Sequence, residues 1–186
     1  MKTVFIFGLG YVGVPLAQAL ADQGWQVRGT TRTPSKLADK AGQGWQILPF
    51  QSGQPLADPA AAFADIDAII STITAIGGSD PVLDAHGGDL ANFSGWSGYV
   101  SATSVYPDMP HDICYEDTEV APATARGKAR VIAEAHWQEA FGTEIFRAAG
   151  IYGIGRSPFD ALRDGTARII ERDGQVFNRI HVDDIC

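Results

Sequence analysis

The sequence predicts an α/β protein built on a doubly wound, mainly parallel sheet. Two observations predict it. Apolar, strand-like runs alternate with helical patterns along the chain, and the first run breaks into the glycine motif Gly8-Leu9-Gly10-Tyr11-Val12-Gly13. Strands joined by crossover helices run parallel, with helices on both faces. The 186 residues suffice for one domain with a sizeable core and are marginal for two. Residues 1–186 therefore read as a single domain.

The elements follow in order. Val4-Phe5-Ile6-Phe7 is a continuous apolar run, as a strand buried on both faces requires. A helical pattern through Val14, Leu16, Ala17 and Leu20 follows the glycines, and Gly24 stops it. A second strand over Gln26–Thr31 leads into a short helix around Ser35–Ala41, and Trp45–Leu48 and Ile66–Ile73 read as the third and fourth strands. Asp80-Pro81 is a good N-cap and first helical residue for a helix toward Leu90. Residues 74–89, rich in glycine, also read as a loop able to move over a ligand. Gly98–Ser101 is the fifth strand, the stretch from Ala125 its crossover helix, and Thr143–Arg147 the sixth strand. Six or seven strands are expected, with no internal repeat, low-complexity tract or linker.

Composition narrows the partners. At 45% hydrophobic and 19% charged residues the chain is an ordinary globular sequence, and its net charge of −8 argues against nucleic acid or an anionic membrane. Nine of the fourteen Lys and Arg lie from Arg126 onward, balanced there by nine Asp and Glu, so the whole negative charge sits before residue 121. No apolar run is long enough to span a bilayer. The N-terminus has no signal-peptide pattern, and Cys114 and Cys186 have no metal spacing, so a reducing cytoplasm is the expected setting. His86, His111 and His136 share no ligand spacing, and no metal is expected.

The glycine motif has a specific mechanism in its context. It follows an apolar strand and opens a helix: Gly8 makes the tight turn, Gly10 lets the backbone approach a pyrophosphate, and Gly13 lets helix pack on strand. The helix N-terminus adds amides and dipole. An acidic residue at the end of the second strand would accept from the ribose of NAD. The chain offers Thr30-Thr31-Arg32, with Ser35 and Lys36 nearby. Hydroxyls and a guanidinium suit a 2′-phosphate, so NADP is expected over NAD. The cofactor-contacting set is Gly8, Gly10, Tyr11, Val12 and Gly13, then Thr31, Arg32 and Ser35, then Ser71, Thr72 and Ile73 at the end of the fourth strand.

Four later segments, "GYVSATSVYPD", "ARGKARVIAEAHW", "RAAGIYGIG" and "RIHVDDI", occur in the order and spacing of the extended short-chain dehydrogenase/reductases. Over nearly its whole length the chain resembles this NAD-dependent epimerase/dehydratase family. Its GxGxxG, in place of the usual GxxGxxG, is similar to the atypical members. The resemblance implies a Rossmann fold, a nicotinamide cofactor and oxidoreductase or epimerase/dehydratase chemistry. It also exposes departures. The family's Ser or Thr, four positions before the Tyr of "VYG", is Ala102 here, with Ser101 and Thr103 beside it as displaced hydroxyls. The family's Tyr-x-x-x-Lys positions, counted back from Glu134, hold Arg126 and Arg130.

Those two arginines change the chemistry expected. In the dyad a Lys cation lowers the Tyr pKa so that the phenol exchanges a proton with substrate. Arginine, with a pKa above ~12, neither gives nor takes a proton near neutrality. Its fork instead binds phosphate or carboxylate. Cations in a first helical turn oppose the helix dipole, and Arg126 and Arg130 repel as an i,i+4 pair. A bound anion relieves that conflict; the alternative is a solvated Arg126 and an Arg130 paired with Glu134. The expected substrate is a small anionic molecule, with Arg126 and Arg130 gripping it and Thr103 joining a proton relay through water. The second expectation is a catalytically silent NADP(H)-binding regulator or scaffold.

Tyr106 and Tyr152, in "VY" and "YG" motifs, are expected to pack in the core. His181, Asp183 and Asp184 match a segment whose role in the family is structural, at the sheet edge. Arg156 lies in a loop that faces substrate in the family. Family members continue past "HVDDI" into a small lobe that closes the substrate pocket, so the chain reads as truncated before it. The apolar surface around Phe159–Ile170 is then one that a homodimer would bury.

Overall fold

The structure, a computed structural model, describes residues 1–109, 113–169 and 176–186. Six strands form one wholly parallel sheet: β1 (Thr3–Phe7), β2 (Gln26–Thr31), β3 (Gln46–Pro49), β4 (Ala68–Ser71), β5 (Trp96–Ala102) and β6 (Glu144–Ala148). Their order is β3-β2-β1-β4-β5-β6, the doubly wound arrangement whose strand order reverses between β1 and β4. Ligands bind at such a switch point, beyond the carboxyl ends of the strands.

The register fixes that point. Phe5 pairs with Arg28 on one side and Ile69 on the other, and Phe7 with Ser71. Side chains alternate along β1: Val4 and Ile6 join Ala17, Val27 and Ile70 in one core, while Phe5 and Phe7 join Ile69, Tyr99 and Trp137 in the other. All five residues of β1 are buried. Burying each large one is worth about 1.5–3 kcal/mol, which is why the run shows no polar alternation.

Helices α1 (Gly13–Asp22), α4 (Pro81–His86) and α5 (Ala125–Phe141) connect the strands that form the site. Asp80 caps α4, its Oδ1 accepting from the N–H groups of Val82 and Leu83 at 2.9 and 3.1 Å. Thr124 caps α5 by accepting from the Gly127 N–H at 3.0 Å. At the other end α5 stops at Gly142, whose φ of +62° is left-handed.

Several details differ from the sequence pattern. The helix expected around Ser35–Ala41 is a 3-10 turn (Pro34–Leu37) followed by α2 (Ala38–Gly42), because Pro34 starts the turn and Gly44 ends the helix within two turns. The stretch 74–89 is not all loop, since α4 occupies its second half and stops at His86 rather than Leu90. Helix α3 (Pro59–Phe63) has only five residues, too few to show a period. Beyond β6, β7 (Gly150–Tyr152) and β8 (Arg179–His181) pair in parallel as a separate two-stranded sheet, with α6 (Pro158–Arg163) between them.

Candidate functional site

The glycine motif forms a closed turn at the switch point. Gly8 has φ +98°, and a Cβ there would lie 2.5 Å from Thr72 Oγ1 and 3.0 Å from the Ile73 side chain. A Cβ on Gly13 would run into the Gly8 carbonyl oxygen, so α1 can start this close to β1 only with glycine. Gly10 is different: nothing but the Gly8 carbonyl lies within 4.0 Å of a Cβ added there. That open side is where the backbone can approach a ligand. Helix α1 begins with no side-chain cap and no acidic residue in its first turn, which leaves its positive end for an anion.

Neighbouring strands hold the turn. Thr30 Oγ1 accepts from the Gly8 N–H at 3.0 Å, the Leu9 N–H donates to the Thr30 carbonyl, and Thr72 Oγ1 donates to the Gly8 carbonyl at 2.7 Å. Thr72 and Ile73 thus brace the turn from β4. Ser71 is fully buried in β4. Thr30 is the residue that sequence reasoning passed over in favour of Thr31. No period-two alternation marks it, since Val27, Gly29 and Thr30 are all buried; Thr31 is half-buried, and Arg32 and Ser35 lie exposed just past the strand.

The helix carrying the two arginines approaches the end of β5 closely. A Cβ on Gly127 would strike the Ser104 carbonyl oxygen and come within 2.7 Å of Pro122 Cβ, so glycine between the cations sets the approach. Arg126 is exposed. Arg130 is half-buried, its Nη1 donating to the Val100 carbonyl at 3.3 Å and its Nη2 to Thr74 Oγ1 at 3.4 Å. Its Nε is buried without a hydrogen-bond partner among the described residues. Arg130 does not pair with Glu134. That carboxylate belongs to Arg147, whose Nη2 donates to Oε2 at 2.9 Å, and it also accepts from the Ser101 hydroxyl. Thr103 is half-buried in a 3-10 turn after β5, and the Tyr106 N–H donates to its carbonyl.

Tyr99 on β5 and Tyr106 after the 3-10 turn are the phenols of this segment. Tyr99 is fully buried on β5, stacked on Trp137 at 5.9 Å. Burial pushes its pKa up, with the Asp80 carboxylate adding to this, and the Arg130 charge only partly opposes it. A phenol held so firmly protonated and out of contact with solvent cannot exchange protons with a substrate. The Tyr106 hydroxyl accepts from Arg147 Nη1 at 3.1 Å. Tyr106 is half-buried rather than in the core.

Tyr152 is not in the core either. It is 37% exposed at the end of β7, edge-on to His181 at 5.1 Å. The small sheet gives it a partner on one side only. His181, Val182 and Asp183, at the end of β8, lie beside Gly10 and Tyr11 around a cavity of about 320 Å³. His181 Nδ1 accepts from the Asp183 N–H at 3.3 Å, a local turn contact. His86 is fully buried, with Nε2 accepting from the Leu56 N–H at 3.1 Å and Nδ1 2.8 Å from Asp89 Oδ2. It is a satisfied core histidine. Among the described residues no group of His, Cys, Asp and Glu could hold a metal, and no helix is long and apolar enough to cross a membrane. Phe159, Leu162 and Ile169 are exposed, while His111 and Ile170 lie outside the described residues.

Comparison with known proteins places this geometry. Protein YeeZ of Escherichia coli strain K12 is 32% identical over 198 residues, covering the whole chain and 70% of YeeZ. A solved structure of a conserved protein of unknown function from Silicibacter pomeroyi superposes with a TM-score of 0.87 at 38% identity. The chain covers 65% of that protein, so it spans under two thirds of its length. UDP-glucuronic acid 4-epimerase from Bacillus cereus, solved with UDP-glucuronic acid and NAD, shares the fold at 18% identity. Its TM-score is 0.75, over 99% of this chain and 70% of that one. The family model for the NAD binding domain of 6-phosphogluconate dehydrogenase matches residues 3–120, the span that holds the braced glycine turn, and to that NAD-binding Rossmann family the chain belongs.

Proposed function

We propose that the chain binds NADP in preference to NAD and serves an oxidoreductase or epimerase/dehydratase-like reaction on a small anionic metabolite. The observation that carries this reading is Arg130. A half-buried guanidinium sits at the carboxyl end of the sheet on a carbonyl and a hydroxyl, with no carboxylate paired to it among the described residues. Its remaining donors suit a phosphate or carboxylate. Gly8, Gly10 and Gly13, with Tyr11, Val12 and the braces Thr72 and Ile73, fit the diphosphate of a dinucleotide. Arg32, with Thr31 and Ser35 beside it, supports the 2′-phosphate of NADP. When bound, the nicotinamide supplies a hydride donor or acceptor. Protons would travel through Thr103 and water, since neither arginine releases one. The two free cysteines, Cys114 and Cys186, suit a reducing, cytoplasmic setting.

A second reading is favoured by Tyr99. With the phenol buried, Arg126 exposed and Ala102 in place of a hydroxyl, the fold can bind NADPH as a regulator without turning over. A fluorescence titration with NADPH and NADH, followed by single-turnover mixing with carbonyl compounds and nucleotide sugars, tests both. NADPH should bind more tightly, and Arg32→Glu should weaken NADPH far more than NADH. Equal losses would sink the assignment of the 2′-phosphate. Oxidation of bound NADPH by any compound of the panel supports the enzyme; tight binding without oxidation supports the regulator.

A further inference from the structure

Tyr11 ties the glycine turn to a segment 143 residues away in sequence. Its backbone belongs to the turn, while its hydroxyl donates to the Ile154 carbonyl at 3.3 Å. The Arg156 guanidinium lies over the Tyr11 ring, 5.2 Å from its centroid. Gly153 makes room for this contact: a Cβ there would be 2.7 Å from the Tyr11 hydroxyl oxygen and 2.8 Å from the Val182 side chain. The loop after β7 is therefore fitted against the glycine turn, with Arg156 at its rim.

From this we infer that Arg156 contacts the diphosphate of the bound dinucleotide, held over the glycine turn by Tyr11. The inference rests on the dinucleotide-binding reading above. Stacking on an aromatic face restrains the guanidinium and leaves its edge N–H groups free for two-point binding of a phosphate. Among the described residues no carboxylate pairs with Arg156. The nearby Asp160 is occupied by Ser157, whose N–H and hydroxyl both donate to it, and by Arg163. Asp183 sits beside His181 at 3.5 Å. The positive end of α1 and the open side of Gly10 face the same anion from within the turn, and Arg156 approaches from outside it.

The diphosphate is common to both dinucleotides, which gives the test its discrimination. Arg156→Gln should weaken NADPH and NADH by the same factor, about tenfold for one charge-assisted phosphate contact. It should also flatten the salt dependence of both and weaken competition by inorganic pyrophosphate. Tyr11→Phe, which keeps the stack, should cost less than Tyr11→Ala. Thermal melting of Arg156→Gln should match the parent, since the side chain is exposed. Unchanged affinities, or a loss confined to NADPH, would overturn the role of Arg156 while leaving dinucleotide binding intact. If the parent chain binds neither dinucleotide, the dinucleotide-binding reading falls, and this inference with it.

Discussion

Arg147 on β6 grips Glu134 on α5 with both its Nε and Nη2, at 3.2 and 2.9 Å from Oε2. Glu134 is 4% exposed, so the carboxylate of this pair is buried while Arg147 is half-buried, and the Ser101 hydroxyl completes the pair from β5. The pairing decides the state of Arg130. One turn earlier on α5, Arg130 is the sequence-local partner of Glu134, yet the carboxylate is taken by a residue 13 positions onward. The helix thus keeps one cation uncompensated beside the carboxyl end of the sheet.

Removing Arg147 should strand the carboxylate in the core. Arg147→Ala is expected to lower stability by about 3–5 kcal/mol, the range for breaking one partner of a buried pair. Arg147→Lys should recover only part, because an ammonium cannot fork across a carboxylate. Urea unfolding followed by far-UV circular dichroism measures both. A loss below about 1 kcal/mol for Arg147→Ala would mean that water reaches Glu134 freely.

The strands and the glycine turn are legible in sequence because both are local. An uninterrupted apolar run needs burial on both faces, and the motif needs close backbone approach, so neighbours in the chain carry the signal. Arg147 as the partner of Glu134, and Ile154 and Arg156 as partners of Tyr11, were not legible. They depend on how distant segments meet, which no spacing records. Tyr152 shows the same limit: its motif suggests packing, but only a two-stranded sheet lies beside it. Helix α3 is hidden for a different reason: with five residues, its inward pair Ala62 and Phe63 is too short a stretch to show a period.

Gly13 separates closeness of approach from backbone freedom. It sits at the first position of α1 with no left-handed φ, and only the Gly8 carbonyl forbids a side chain there. Gly13→Ala should therefore push α1 off β1, costing about 1–3 kcal/mol. It should also weaken NADPH binding by at least about tenfold, as the turn loses its shape. Gly10→Ala should leave the melting temperature nearly unchanged while still weakening NADPH. Equal melting losses in the two variants would show that Gly10 is structural as well.

His86 should matter for stability and not for ligand binding. Its Nε2 accepts the Leu56 N–H, and its ring lies 5.3–6.2 Å from Phe7, Phe50 and Phe63. His86→Leu keeps an apolar filling but strands a buried N–H, which costs about 1–3 kcal/mol. NADPH affinity measured in the folded variant should equal the parent's. A tenfold loss of affinity at unchanged stability would instead assign His86 to the site.

Asp80 predicts a pH dependence of definite sign. It is 1% exposed, and burial raises its pKa above the ordinary carboxylate value. The N–H groups of Leu83 and Val82 and the Trp137 indole offset that rise only in part. Because the folded chain holds this proton more tightly than the unfolded chain, stability from Asp80 is complete below the unfolded pKa. It is lost as pH rises through the folded one. Asp80→Asn keeps an oxygen to cap α4 and removes the charge. Its stability relative to the parent should therefore be small at pH 4 and should grow by pH 7, seen as diverging urea midpoints. If the gap between the two proteins stays constant over that interval, Asp80 is ionised as easily in the fold as in the open chain, and burial is not what governs it.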